Sequence, residues 1–227
     1  MSIFSYKDIY MENGKRVLEV NILPLKQCNF DCIFCPIGRA KEKVDVQKSF
    51  AGTENAVVEL INKIEQEQID LVFINSKGEA LVNDKIEDLI DLIKGKGLSV
   101  RLLSNGYLLG DDNYMRIADK CDQVIGELKV ITEEDFQKLQ RPMEGYTLEK
   151  YISNMVAFNK QYKGIFIFEV TIVKGYNDDK DSVAKIENVI KAINPEKLEV
   201  VRIEEEPFQK KFGISEDKLE EIRSHFK

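Results

Sequence analysis

An apolar, β-rich segment, Val17 to Leu23, runs directly into a loop that carries three of the chain's four cysteines. Cys28, Cys32 and Cys35 fall within eight residues, spaced C-x-x-x-C-x-x-C. A short loop cannot aim three thiols at one place unless a rigid strand anchors it, so this spacing constrains the fold. Three thiolates can hold three irons of a four-iron, four-sulfur cubane, and full protein ligation takes four. The remaining iron would keep an open position, and open positions are where metal sites do chemistry. A zinc knuckle is the competing reading. Zinc takes four tetrahedral ligands, often with histidine, and the only histidine is His225. Cys121 is the one further thiol, and its place at the end of a helical pattern makes it a buried helix-end residue. A disulfide is disfavoured, because the N-terminus lacks the basic-then-apolar pattern of an export signal.

Beyond the loop, strand and helix patterns alternate. Apolar runs or β-rich stretches predict strands over 17–23, 71–74, 100–103, 123–131, 165–173 and 198–203. Helical spacing predicts helices over 55–66, 86–93, 113–121, 148–162, 182–193 and 215–226, with a short one opening at Thr132. Gly95, Gly97 and Pro195 punctuate them. Asn13-Gly14 predicts a tight turn after a leading strand over 3–11, so a hairpin at about 3–16 opens a single domain spanning 1–227. Six alternating units imply a parallel sheet with right-handed crossovers. They are too few for a closed eight-stranded barrel. An open (β/α)6 partial barrel and a flat doubly wound sheet both fit. In either, ligands gather at the carboxyl ends of the strands, the side on which the cysteines fall.

Composition narrows the class. The chain has 227 residues and a net charge of −7, which argues against strong non-specific nucleic-acid binding. Arg39, Lys41, Lys43 and Lys48 face only Glu42 and Asp45 in the loop after the cysteines, so a solvated loop or a lip for an anionic partner are both open. No apolar run approaches the roughly 18 residues of a membrane span, and a cytoplasmic location is expected.

The cysteine spacing, with Phe34 before the third cysteine, resembles the motif of the radical S-adenosylmethionine (SAM) superfamily. The resemblance implies the open six-stranded partial TIM barrel of that family, with Cys28, Cys32 and Cys35 holding one [4Fe-4S] cluster. It places Phe34 beside the adenine of SAM. Gly78-Glu79 after the second strand resembles the family's Gly-Gly-Glu motif and is expected to contact the methionyl amine. Lys77 and Ala80 depart from that pattern. Ser104-Asn105-Gly106 resembles the motif after the third strand and is expected to reach the ribose or the carboxylate. Lys129, in Glu127-Leu-Lys129, is expected to pair with the SAM carboxylate or a substrate anion. Glu169, also expected among the cofactor-binding residues, points from the fifth strand to the barrel interior or to a polar cap; an inward carboxylate needs a partner, Lys129 or Arg202 being natural. Arg141 is a carboxylate ligand or a helix cap.

Arg141-Pro142, Glu169-Val170 and Lys174-Gly-Tyr-Asn-Asp178 resemble a wyosine-synthase-like subgroup. Two departures stand out: no second cysteine group exists, and Glu204 to Glu206 replace an Asn-Thr-Pro type run. The resemblance implies reductive cleavage of SAM to a 5′-deoxyadenosyl radical, with a flavodoxin or ferredoxin type reductant. The small chain leaves little for a lid, which suggests a large substrate, RNA or protein, or a partner chain closing the mouth. RNA is the first expectation. Activation or modification of a protein or peptide is the rival, and a non-catalytic metal-binding protein the reading outside enzymes.

Overall fold

The computed structural model describes residues 3–226. It contains strands β1 (Ser5–Tyr6), β2 (Tyr10–Glu12) and β3 (Lys15–Asn21), then helix α1 (Thr53–Glu67) and β4 (Leu71–Ile74). Next come α2 (Ile86–Gly95), β5 (Ser99–Ser104), α3 (Asp112–Ala118), β6 (Gln123–Leu128) and a single turn, α4 (Glu133–Asp135). They are followed by α5 (Leu148–Gln161), β7 (Ile165–Ile172), α6 (Lys180–Ile193), β8 (Lys197–Arg202), α7 (Gln209–Phe212) and α8 (Glu216–His225).

Strands β3 to β8 form the six parallel strands expected, in sequential order. β1 and β2 pair antiparallel to β3 at one edge, and β8 forms the other, so the sheet is open. The order runs from β3 to β8 without the reversal that a doubly wound sheet requires, so the architecture is the open partial barrel.

Because side chains alternate along a strand, the sheet has two distinct faces. The outer one is continuous core under the helices: Val20, Ile74, Leu102, Phe166 and Phe168 are all fully buried. The inner one carries only a small separate apolar group, Val17, Leu71, Phe73, Ile125 and Ile167. Leu103 packs beside it, and toward the carboxyl end the face carries Glu127, Glu169 and Glu199.

Three expectations need correction. The leading strand over 3–11 is two short strands, β1 and β2, sharing the β3 edge. The turn itself is as expected: Asn13 and Gly14 both have positive φ, 49° and 78°, as a type I′ hairpin requires. The strand over 17–23 stops at Asn21, whose side chain takes over the ladder by bonding both the N–H and the carbonyl of Leu23. The strand over 123–131 stops at Leu128. Asn177 Nδ2 donates to Lys129 O at 3.2 Å and to Thr171 O at 3.0 Å, holding the chain by a side chain instead of a ladder.

Candidate active site

The cysteine loop is sewn into its surroundings through its backbone. Gln27 N donates to Lys77 O at 3.1 Å and Glu79 N donates to Gln27 O at 2.8 Å. Gly78 sits between them at φ 129°, and a Cβ there would run into the Gln27 carbonyl. Only glycine tolerates both the conformation and the approach. On the other side, Ile33 N donates to Leu139 O at 2.8 Å and Asp31 N to Gln140 O at 3.0 Å. Those acceptors are the last two residues of a π-helical stretch, Phe136–Gln140, and the last carbonyls of a helix have no donor within it. The sequence carries no evident signal for it.

Two side chains lock the loop. Phe30 is buried edge-on against Tyr107, Phe136 and Tyr151, with centroids 5.5 to 6.1 Å away. Asp31 accepts from Arg39 Nε at 2.7 Å and Ala40 N at 2.8 Å, with Lys26 Nζ at 3.7 Å. Burial opposes ionisation of Asp31, but these donors outweigh it and hold its carboxyl below the ordinary range.

The thiols differ in setting. Cys28 Sγ accepts from Phe30 N at 3.4 Å and Asn105 Nδ2 at 3.6 Å. Burial drives its pKa far up. Burial also pushes the Cys32 thiol up to about 12, with the Lys129 charge opposing. Thiols so disfavoured as bare anions become thiolates when a metal centre supplies positive charge. Among the described residues no three His, Cys, Asp or Glu side chains converge as one metal ion requires. A cubane instead takes each thiolate on a different iron. Gln27 Oε1 and Gln140 Oε1 are buried beside the loop with no donor. Such atoms are costly unless a bound group completes them. The residues present therefore fit a cubane with SAM.

Glu79 and Ser104-Asn105 meet at one node. The Glu79 carboxylate is fully buried and accepts from Ser104 Oγ at 3.0 Å, Asn105 N at 2.9 Å and Leu81 N at 3.2 Å. Burial pushes its pKa up to about 7, against those donors. Asn105 Nδ2 then reaches Asn29 Oδ1 at 2.6 Å, closing the node onto the cysteine loop.

Across the barrel, Glu127, Glu169 and Glu199 are register partners on adjacent strands. Lys129 Nζ pairs with Glu127 Oε1 at 2.8 Å. Burial opposes the Lys129 charge, but Glu127 and Cys32 outweigh it and keep the ammonium charged. Glu169 is pushed up to about 7 by burial, then by Glu127, with Lys129 opposing. The partner expected for Glu169 needs correction. Lys129 makes its direct pair with Glu127, and Arg202 turns away to Glu204 and Glu216, at 3.2 and 3.0 Å. Glu127 is the residue sequence reasoning passed over; its in-strand spacing to Lys129 was the available signal.

Phe34 is 5% exposed and meets the Phe212 ring edge-on, centroids 5.9 Å apart. Arg141 adopts a left-handed conformation, φ 45°, and its carbonyl accepts from Asp31 N at 3.3 Å. Cys121 is buried, its carbonyl accepting from Tyr162 Oη at 2.8 Å. Glu204 to Glu206 are exposed.

Residues 22–194 match the profile of the Radical SAM superfamily, and the chain belongs to that superfamily. It is an enzyme whose cofactors are a [4Fe-4S] cluster and SAM. It is 25% identical to a UPF0026 protein of Methanocaldococcus jannaschii over 79% of this chain and 57% of that one. It is 28% identical to a UPF0026 protein of Helicobacter pylori over 89% of this chain and 67% of that one. In fold it is similar to TYW1 with a lysine-pyruvate adduct bound: TM-score 0.71, 16% identity, covering 94% of this chain and 74% of that chain. It is also similar to a radical SAM methyltransferase from Sphaerobacter thermophilus, with TM-score 0.67, 12% identity, and coverage of 96% and 65%. No helix among the described residues is long and apolar enough to cross a membrane.

Proposed function

We propose that this chain abstracts hydrogen from an amine-bearing or basic peptide group held at the open mouth of its barrel. One observation carries the assignment of the site. The cysteine loop is bonded directly to Gly78-Glu79 and, through Asn105, to Ser104, all at the carboxyl ends of the first three parallel strands. Cys28, Cys32 and Cys35 would hold the cluster. When bound and reduced, the cluster and SAM supply a 5′-deoxyadenosyl radical.

The remaining roles belong to this chain's side chains. Gly78 lets the backbone approach closely, and Glu79 holds Ser104 and Asn105 in place toward the methionyl amine, ribose and carboxylate. Lys129, kept charged by Glu127, suits the SAM carboxylate. Phe34 flanks the adenine. Glu169 and Glu199 extend the inner wall as carboxylates, which suits a cationic or N–H-rich substrate group better than phosphates.

RNA is the second reading, favoured by the Arg141-Pro142 and Lys174-Gly-Tyr-Asn-Asp178 motifs. In that case an extruded base, through its amino groups, would face the carboxylates while the phosphates stay outside. An electron donor of the flavodoxin or ferredoxin class completes the system.

The test is anaerobic reconstitution with iron and sulfide, then dithionite and SAM, with 5′-deoxyadenosine read by mass spectrometry. Formation that is lost in Cys32→Ala is expected. Stimulation by a soluble-protein fraction supports the first reading, and stimulation by total RNA the second. A cluster-loaded protein that forms no 5′-deoxyadenosine under any of these conditions would refute the site assignment.

A further inference from the structure

The three cysteines look in different directions. Cys28 is covered by Phe30 and Asn105. Cys32 faces Lys129 and Glu127 in the barrel. After Cys35 the chain comes straight to the surface: Pro36, Ile37, Gly38 and Arg39 are all exposed, as are Lys41 to Lys43. Of the three cysteines, Cys35 is the one followed directly by a run of exposed residues.

This surface has an unusual make-up. Ile37 is 44% and Leu25 50% exposed. Lys26 Nζ donates to Gly38 O, which ties the two stretches together. Around them, residues 25–48 carry five cations against three carboxylates, in a chain of net charge −7. One of those carboxylates, Asp31, is buried and occupied by Arg39 and Lys26. Among the described residues the Lys41 ammonium has no hydrogen-bond or ion-pair partner.

The segment that follows the platform is pinned to the barrel. Tyr114 Oη donates to Asp45 O at 2.7 Å, Tyr146 Oη to Asp45 Oδ2 at 2.9 Å, and Lys48 N to Val82 O at 2.8 Å. Exposed apolar side chains rimmed by an excess of positive charge are the make-up of a docking surface rather than of a solvated loop.

We propose that Leu25, Ile37, Arg39 and Lys41 form the docking face for an acidic electron-donor protein of the flavodoxin or ferredoxin class. This rests on the reading that the three cysteines hold a cluster. Electron transfer slows steeply with distance, so a donor must sit close to the cysteine loop, and the exposed run after Cys35 offers such a place. The local excess of positive charge on an otherwise acidic enzyme steers an acidic partner to that place and away from the rest of the surface. The apolar centre, with few cations and no stripe of them, suits a protein face better than the phosphates of RNA, which demand several paired cations.

The experiment uses the reconstituted full chain without SAM. Stopped-flow bleaching of the cluster absorbance is followed with reduced flavodoxin and, separately, with photoreduced deazaflavin, a small donor that needs no docking face. The wild-type flavodoxin rate should fall steeply as salt is raised. Lys41→Glu and Ile37→Ser should each slow it at least about threefold at low salt, and leave the deazaflavin rate unchanged. The proposal is overturned if neither variant slows flavodoxin, or if both donors slow equally, since the residues then act through the cluster. It is also overturned if the variants weaken RNA binding but not reduction by flavodoxin. A protein that takes up no cluster overturns the site reading and this proposal with it.

Discussion

The two ends of the barrel interior are both polar, yet only one is complete. At the amino end, Arg101 is 8% exposed and fully engaged. It donates to Glu12 at 2.8 Å and Gln123 at 2.6 Å, and its guanidinium lies 5.3 Å from the centre of the Phe73 ring. Glu19, in the same register row, accepts from Asn75 at 2.8 Å and pairs with Lys7 at 2.7 Å. At the carboxyl end, Glu169 has no ion pair of its own among the described residues and leans on a second carboxylate, Glu127, and Gln27 and Gln140 keep buried oxygens without donors. Buried polar groups that satisfy one another build structure. Those left unsatisfied mark where a ligand belongs. The floor is a plug, and the mouth is a site.

That contrast can be broken or sharpened by mutation. The largest effect is expected where the mouth's backbone packs tightest, at Gly78. Gly78→Ala should destabilise the protein by about 4 kcal/mol, because neither the φ nor the Gln27 carbonyl can accommodate a Cβ. Chemical denaturation would measure it, and a loss under about 1 kcal/mol would mean the join is loose. At the floor, Arg101→Ala should cost about 3 kcal/mol by stranding Glu12 and Gln123. Per folded molecule its yield of 5′-deoxyadenosine should be unchanged; a deficit there would show that the floor also serves the chemistry.

Glu169 tests the mouth through pH. Its folded pKa, about 7, lies above the ordinary carboxylate value. Native protein therefore binds the proton more tightly than unfolded chain, and this contribution is fully present below about pH 4 and lost as pH rises through 7. Glu169→Gln should flatten the stability-versus-pH curve between pH 5 and 8 by about 2 kcal/mol, read from denaturation midpoints across that range. An unchanged slope would mean that Glu169 is solvated and the mouth is not strained. The smallest effect concerns Asn105. Asn105→Asp keeps an acceptor for Tyr107 N but removes the donor to Cys28 Sγ. Hydrogen bonds to cluster-ligating sulfurs raise the reduction potential, so an EPR-monitored titration should show it lowered by roughly 30 to 60 mV, up to a tenfold change in the reduced fraction. An unshifted potential would mean that the 3.6 Å contact is too weak to matter.

Much of this was legible in the chain itself. The period of the apolar residues located six parallel strands and the main helices between them, because burying one face of each element imposes that period whatever the neighbours are. The cysteine spacing, Gly78-Glu79 and Ser104-Asn105 could be read as motifs. Their placement at successive strand ends followed from right-handed crossovers. Element ends were less legible: Asn21 and Asn177 stop strands by side-chain bonds that leave no periodic trace.

The chain alone therefore determined that the motif residues gather at the carboxyl ends of the strands. Only the tertiary structure decided whom they meet there. The Lys129–Glu127 pair, Arg202 turned from Glu169 to Glu204 and Glu216, the Glu79–Ser104–Asn105 node and the π-helical carbonyls under the cysteine loop all depend on register between strands or on contacts across long sequence separations. Periodicity reports which way a side chain points. It carries no information about which partner lies a few ångströms away, and hydrogen bonds and pKa values are decided at that distance.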